Sequence, residues 1–170
     1  LEYHGRKDLN IITCHLGAGC SIAAAKGGRC LDTSMGFTPL EGLVMGTRCG
    51  DLDPAVIPFL MSPEGGNLTI EQVNDLLNKE SGLMGLSDLS PDVRDLLKAR
   101  EERHEGAWLA LSVFTYRLKK YIGAYHAALG GADILVFTAG IGENSPEVRA
   151  ETLEGMEKLG FVLNIGANAE

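Results

Sequence analysis

One run of this chain, Asp32-Thr33-Ser34-Met35-Gly36-Phe37-Thr38-Pro39-Leu40-Glu41-Gly42-Leu43-Val44-Met45-Gly46-Thr47-Arg48-Cys49-Gly50-Asp51-Leu52-Asp53-Pro54, holds four glycines, one arginine and three aspartates. It is too broken for an ordinary helix or strand, so specific contacts must hold it, which points to a site more than to a core. Arg48 is framed by Gly46-Thr47 and Cys49-Gly50-Asp51 and has little local apolar surface to cover. A guanidinium held there can stabilise charge on a transferring phosphoryl group. It can equally form a structural salt bridge to Asp51 or Asp53, and a paired arginine is also a positioned one. Asp32, Asp51 and Asp53 read first as turn and N-cap residues, and second as contacts to a hydrated metal ion.

Three further segments have the types and spacing for chemistry. His15-Leu16-Gly17-Ala18-Gly19-Cys20-Ser21 is a glycine-bearing turn between two strands. Its consecutive N–H groups can form an anion-binding nest, and Ser21 can add a hydroxyl donor. Short Gly-x-Gly turns are common, so from this turn alone a plain hairpin is the stronger reading. Gly140-Ile141-Gly142-Glu143-Asn144 follows a buried strand and precedes a helix start, a place where open α/β sheets bind ligands. It is neither a Walker A loop nor a Rossmann fingerprint. Ser90-Pro91-Asp92-Val93-Arg94 alone reads as a helix cap. His104, His126, Trp108, Tyr116, Tyr121 and Tyr125 lie in helical patterns, and no Ser/His/Asp or Cys/His arrangement stands out.

These segments need elements to position them. Residues 10–17 and 20–26 read as strands, Lys26-Gly27-Gly28-Arg29 as a hairpin turn, and 30–33 as the returning strand. Asp53-Pro54 reads as an N-cap with proline at the first helical position, opening a helix cut short by Pro58. Thr69-Ile70-Glu71-Gln72 is a capping box whose helix has Val73, Leu76 and Leu77 on its apolar side. Ser90-Pro91-Asp92 starts another helix. A long one runs from about Gly106 to Leu129, with Ala107, Leu111, Phe114, Leu118, Tyr121, Tyr125 and Leu129 as its buried stripe. Gly130-Gly131 stops it. Ile134–Phe137 reads as a strand buried on both faces. Ser145-Pro146 starts a further helix, and residues 161–163 form a last strand. The result is an α/β fold, a mixed sheet with flanking helices.

At 170 residues, the chain is about one domain's worth, read as a single unit over 1–170. It opens on Leu1, which points to a processed product, a fragment or an engineered segment. The net charge of −8 argues against nonspecific nucleic-acid binding. No apolar run is long enough to span a bilayer, and no signal peptide is visible, which predicts a cytoplasmic protein without membrane attachment. The four cysteines (Cys14, Cys20, Cys30, Cys49) make no Cys-x-x-Cys pair and read as reduced residues.

Together the Asp32–Pro54 run, His15–Gly19, Asp92–Arg94 and Gly140–Asn144 resemble the C-terminal half of the acetate and propionate kinase family, from Asn10 to about residue 163. The resemblance implies the RNase H-like fold shared by actin, sugar kinases and heat-shock chaperones, here apparently truncated. It implies that His15, Leu16, Gly17, Ala18 and Gly19 line the ATP phosphates, and that Asp92, Val93 and Arg94 border the adenosine. Gly140, Ile141, Gly142, Glu143 and Asn144 would close over the nucleoside, and Arg48 would stabilise the transition state. The implied reaction is reversible: ATP and acetate give ADP and acetyl phosphate with Mg²⁺, in a homodimer. Three departures stand out. Ala18 replaces the family's usual Asn, a loss of about 1 kcal/mol of nucleotide interaction. The half that carries the substrate-binding arginine and the catalytic aspartate and histidine is not in this sequence. Nor are the last strand and helix, where the family supplies a glutamate for Mg²⁺, so no metal ligand is expected here. The chain alone is therefore expected not to turn over. The alternatives are a non-catalytic nucleotide-binding or assembly module of the actin-like superfamily, and a propionate or butyrate kinase.

Overall fold

The computed structural model describes Arg6 and residues 8–169. In chain order its elements are β1 (Asn10–Leu16), β2 (Cys20–Lys26), β3 (Arg29–Thr33), α1 (Val56–Met61), α2 (Ile70–Lys79), α3 (Gly82–Ser87), α4 (Val93–Glu101), α5 (Glu105–Leu129), β4 (Ile134–Thr138), α6 (Ala139–Asn144), α7 (Pro146–Leu153) and α8 (Ile165–Asn168). The chain divides into two compact units. The first is the chain up to Ser34 together with Thr115 onward; the second is Met35–Phe114. The break falls within α5.

The first unit carries the sheet, in the order β3-β2-β1-β4. β1 pairs antiparallel with β2, and β2 with β3, while β4 joins β1 in parallel. The sheet is therefore mixed, as expected. The Gly27-Gly28 turn has φ of 55° and 78°, the left-handed pair that a two-residue hairpin needs. Directly paired residues share a face, and one face is the core: Ile12, Cys14 and Leu16 of β1 and Cys20, Ile22 and Ala24 of β2 are all buried. Asn10 ties β1 to the far end of α5, its side-chain amide donating to the carbonyls of Leu129 (3.3 Å) and Gly131 (2.9 Å). Leu118, Ile122, Tyr125 and Leu129 are the buried stripe of this part of α5. Tyr121, placed on the stripe by periodicity, is half-buried, and Ile122 takes the core position.

Two sequence expectations fail here. β4 is half-buried, with Val136 36% exposed. It ends the sheet order, so only one of its edges is paired among the described residues, and an apolar run alone does not disclose that. Residues 161–163 form no strand. Phe161 packs edge-on against His126 at 5.2 Å and Val162 is 76% exposed, so side-chain packing rather than a ladder places this segment.

The second unit is helical. Thr69 and Gln72 make the expected reciprocal cap on α2: Gln72 Oε1 accepts from Thr69 N (2.8 Å) and Thr69 Oγ1 from Gln72 N (3.3 Å). Val73 and Leu77 are buried, as are Ala107, Leu111 and Phe114 at the start of α5. α1 departs from expectation. It begins at Val56, after a turn in which Asp53 Oδ1 accepts from Ala55 N (2.9 Å). Pro58 falls in its first turn, where a missing N–H costs nothing. The stop comes from Ser62, extended at ψ 160° ahead of Pro63, which opens a 3-10 turn at Pro63–Gly65.

Candidate active site

In the first unit the sequence-derived segments meet at one end of the sheet. β1 ends at Leu16 and β4 at Thr138, and both strands run in the same direction. The turn after β1 and the helix after β4 therefore leave the sheet side by side. A methyl at Gly17 would touch the Ala139 side chain at 3.9 Å. The turn is closed by Gly17 N donating to Gly19 O (3.1 Å), and Cys20 Sγ donates to Gly17 O (3.2 Å). His15 pairs in register with Ser21 on one side and Thr138 on the other, so three polar side chains form a row on the face opposite the core. His15 and Ala18 are exposed. Leu16 is fully buried; it can serve a ligand only through its backbone.

Gly140–Asn144 is not a loop, as its glycines suggested, but most of the six-residue helix α6. The strand-to-helix turn lies one residue earlier, at Ala139, with φ 64°. Gly142 faces the sheet: a methyl there would lie 3.3 Å from the Phe137 carbonyl carbon and 3.6 Å from Cys14 O. Gly140 is exposed and has open space around it. The two polar side chains are engaged within the helix. Glu143 Oε1 accepts from Ala139 N (3.0 Å) and Thr138 Oγ1 (3.2 Å), and Asn144 Nδ2 donates to Gly140 O (2.9 Å).

In the second unit, the Arg48 loop is fastened to the junction of α2 and α3. Leu83 N donates to Met45 O and Met84 N to Gly46 O, both at 2.9 Å, and Ser81 N donates to Thr47 O at 3.0 Å. Cys49 N donates to Leu77 O (3.0 Å), and Thr47 Oγ1 to Asn78 O (2.9 Å). Gly50 and Gly82 allow this fit. Each has positive φ, and a methyl on either would lie within 2.6 Å of loop backbone. The half-buried Arg48 guanidinium donates to Pro39 O (3.1 Å) and Met45 Sδ (3.4 Å). The anticipated salt bridge to Asp51 or Asp53 does not form: Asp51 Oδ1 instead accepts from Gly42 N at 2.9 Å. A guanidinium oriented by neutral acceptors keeps its charge for a ligand.

Asp92–Arg94 sits at the start of α4. Asp92 is the N-cap: its Oδ1 accepts from Arg94 N (2.9 Å), and Arg94 Nη2 pairs with Asp92 Oδ2 at 2.6 Å. The Arg94 side chain and then its amide hold the Asp92 carboxyl below the ordinary carboxylate range. Val93 is buried, a core residue.

The comparisons with known proteins bear on the whole chain. Residues 3–170 match the acetokinase family. The chain belongs to that family. It is 59% identical over 170 residues to an acetate kinase of Nitratidesulfovibrio vulgaris, covering 99% of this chain and 42% of that protein. It is 61% identical over 159 residues to one from Thermoanaerobacter pseudethanolicus, covering 93% and 39%. The chain thus spans about 40% of the length of the curated relatives it matches. Among solved structures it resembles Porphyromonas gingivalis acetate kinase, with a TM-score of 0.92 and 48% identity over 95% of this chain and 40% of that one. A propionate kinase from Francisella tularensis gives 0.91 and 36%, over 96% and 42%. The expected α/β architecture is the one this family adopts.

Sequence reasoning missed the α3 helix, the role of Gly82 and one arginine, Arg149. Its guanidinium donates to the Gly142 and Glu143 carbonyls (2.9 and 2.8 Å). Gly82 following Ser81 was the available signal for the first two; none existed for Arg149. Among the described residues no three or more His, Cys, Asp or Glu side chains converge as a metal site. Asp32 and Asp53 each accept a local backbone N–H (2.7 and 2.9 Å). These residues do not by themselves fit a Mg²⁺ cage. No helix among the described residues is long and apolar enough to cross a membrane.

Proposed function

We propose that this chain is the C-terminal, nucleotide-binding half of an acetate kinase. The enzyme would transfer the γ-phosphoryl group of ATP to acetate, giving ADP and acetyl phosphate, and would run in both directions. The observation that carries this reading is the Arg48 loop, whose fixed backbone and charge-bearing guanidinium suit phosphoryl transfer better than plain nucleotide storage. The backbone of the 15–19 turn would line the ATP phosphates, with Ala18 contributing no side-chain amide. Gly140 on the open side of α6 would face the nucleoside, and Asp92–Arg94 would border the adenosine.

In this reading Arg48 stabilises charge as the phosphoryl group passes to a carboxylate oxygen. Catalysis is mainly positioning and charge neutralisation. The acid-binding residues would come from outside this chain. The 170-residue chain alone is then inactive, and the working enzyme is a cytoplasmic homodimer.

The test is acyl phosphate formation by the full-length gene product with MgATP and acetate, trapped as hydroxamate. Robust formation, greatest on acetate when propionate and butyrate are compared, supports the reading. A folded protein that binds MgATP but forms no acyl phosphate points instead to a non-catalytic nucleotide-binding module.

A further inference from the structure

We propose that Arg149 is a positioning residue for the nucleotide, acting by clamping α6; this rests on the reading that α6 faces ATP. At six residues α6 is too short to persist by itself, and the unpaired groups at its ends need partners. Its amino end is closed by its own Glu143 carboxylate. Its carboxyl end is closed from outside, where Arg149 Nη1 donates to Gly142 O (2.9 Å) and Glu143 O (2.8 Å). A cation there also suits the helix dipole. The rest of the same fork is held by α8: Nε donates to Asn168 Oδ1 (2.7 Å) and Nη2 to Asn168 O (2.6 Å). Asn168 Nδ2 in turn donates to Pro146 O (2.9 Å), at the start of α7.

One planar group therefore fixes α6 to α7 and α8 at once, a job suited to a rigid guanidinium and not to a single ammonium. The inner side of α6 is seated by Gly142 on the sheet backbone, and its outer side at Gly140 is open. Arg149 sets where that open side stands while itself bonding only to protein carbonyls and Asn168 in the bonds above.

The experiment compares the full-length wild-type protein with Arg149→Ala, Arg149→Lys and Asn168→Ala. Equilibrium MgATP binding, steady-state kinetics and hydrogen exchange of the α6 amides are measured on each. Arg149→Ala is expected to weaken MgATP binding about tenfold. The acetate KM, and kcat at saturating MgATP, should stay within about twofold. Exchange should speed up at α6 in the unliganded protein. Arg149→Lys should fall between, and Asn168→Ala should shift MgATP binding in the same direction by less. Wild-type MgATP affinity in folded Arg149→Ala would overturn the proposal, as would equal losses in MgATP and acetate terms, the mark of general damage. If Arg149→Ala does not fold, unchanged MgATP affinity in Asn168→Ala overturns it. Failure of the wild-type protein to bind MgATP would defeat the functional reading itself, whereas unchanged α6 exchange would defeat the clamp alone.

Discussion

Replacing Gly82 with alanine should disturb the Arg48 loop without altering any residue in it. Gly82 has φ +63°, and a methyl built on it would lie 2.3 Å from Met45 O, 2.8 Å from Arg48 O and 3.0 Å from Arg48 N. The left-handed backbone alone costs an alanine about 1–2 kcal/mol. The clash is with backbone carbonyls, which cannot rotate away, so the loop must separate from α3. That separation breaks the Leu83–Met45 and Met84–Gly46 hydrogen bonds, each worth about 1 kcal/mol. A loss of about 3–4 kcal/mol is expected, at the upper end for single substitutions. Gly28→Ala is the control. Its φ is +78° with nothing within 4 Å of the added methyl, so it should show the conformational cost alone, about 1–2 kcal/mol. Denaturant unfolding of both variants measures the difference, and acyl phosphate formation by the full-length protein reports whether Arg48 has moved. Gly82→Ala matching Gly28→Ala in stability, with unchanged activity, would refute the claim that the α2–α3 junction holds Arg48.

Two further predictions follow from single side chains. Asp92→Ala removes the α4 cap and its ion pair and should cost about 1 kcal/mol at neutral pH, held to that size because the pair is partly exposed. Because Arg94 lowers the folded Asp92 value, its contribution is present above the ordinary carboxylate range and is lost as pH falls through the lowered value. The variant's stability should therefore fall less steeply on acidification, read by urea midpoints between pH 7 and 2. Thr152 is fully buried in α7 and its hydroxyl has no partner among the described residues; Thr152→Val should raise stability by about 1 kcal/mol in thermal or urea unfolding.

The parts of this fold that were legible in the sequence are those set by local chemistry. β1, β2 and their Gly-Gly turn follow from alternation and left-handed glycines, and α2 from a reciprocal cap within four residues. The α5 stripe follows from helical periodicity. What was not legible depends on partners distant in the chain. α6 is glycine-rich and a poor helix by propensity, yet it forms because Arg149 and its own Glu143 close its ends. The open edge of β4 and the unpaired 161–163 segment depend on which strands lie alongside, which an apolar run does not encode. In the candidate site, sequence pointed to Arg48 and to both glycine segments. The family resemblance implied that Glu143 and Asn144 lie over the nucleoside; what the residues themselves did not disclose is that both side chains bond locally at α6. Sequence also offered Arg48 a carboxylate partner, where the structure supplies a carbonyl and a thioether.

The most direct test of the central claim is the rate of acyl phosphate formation by full-length Arg48→Ala against wild type, at saturating MgATP and acetate, with unfolding curves recorded on both. The loop is held by backbone bonds from α2 and α3, so the variant should fold normally. Its rate should fall by about 10³-fold or more, the scale of a lost phosphoryl-stabilising arginine. A well-folded variant that keeps its rate within about tenfold of wild type would contradict the account, since no arginine that stabilises a phosphoryl transition state is so dispensable.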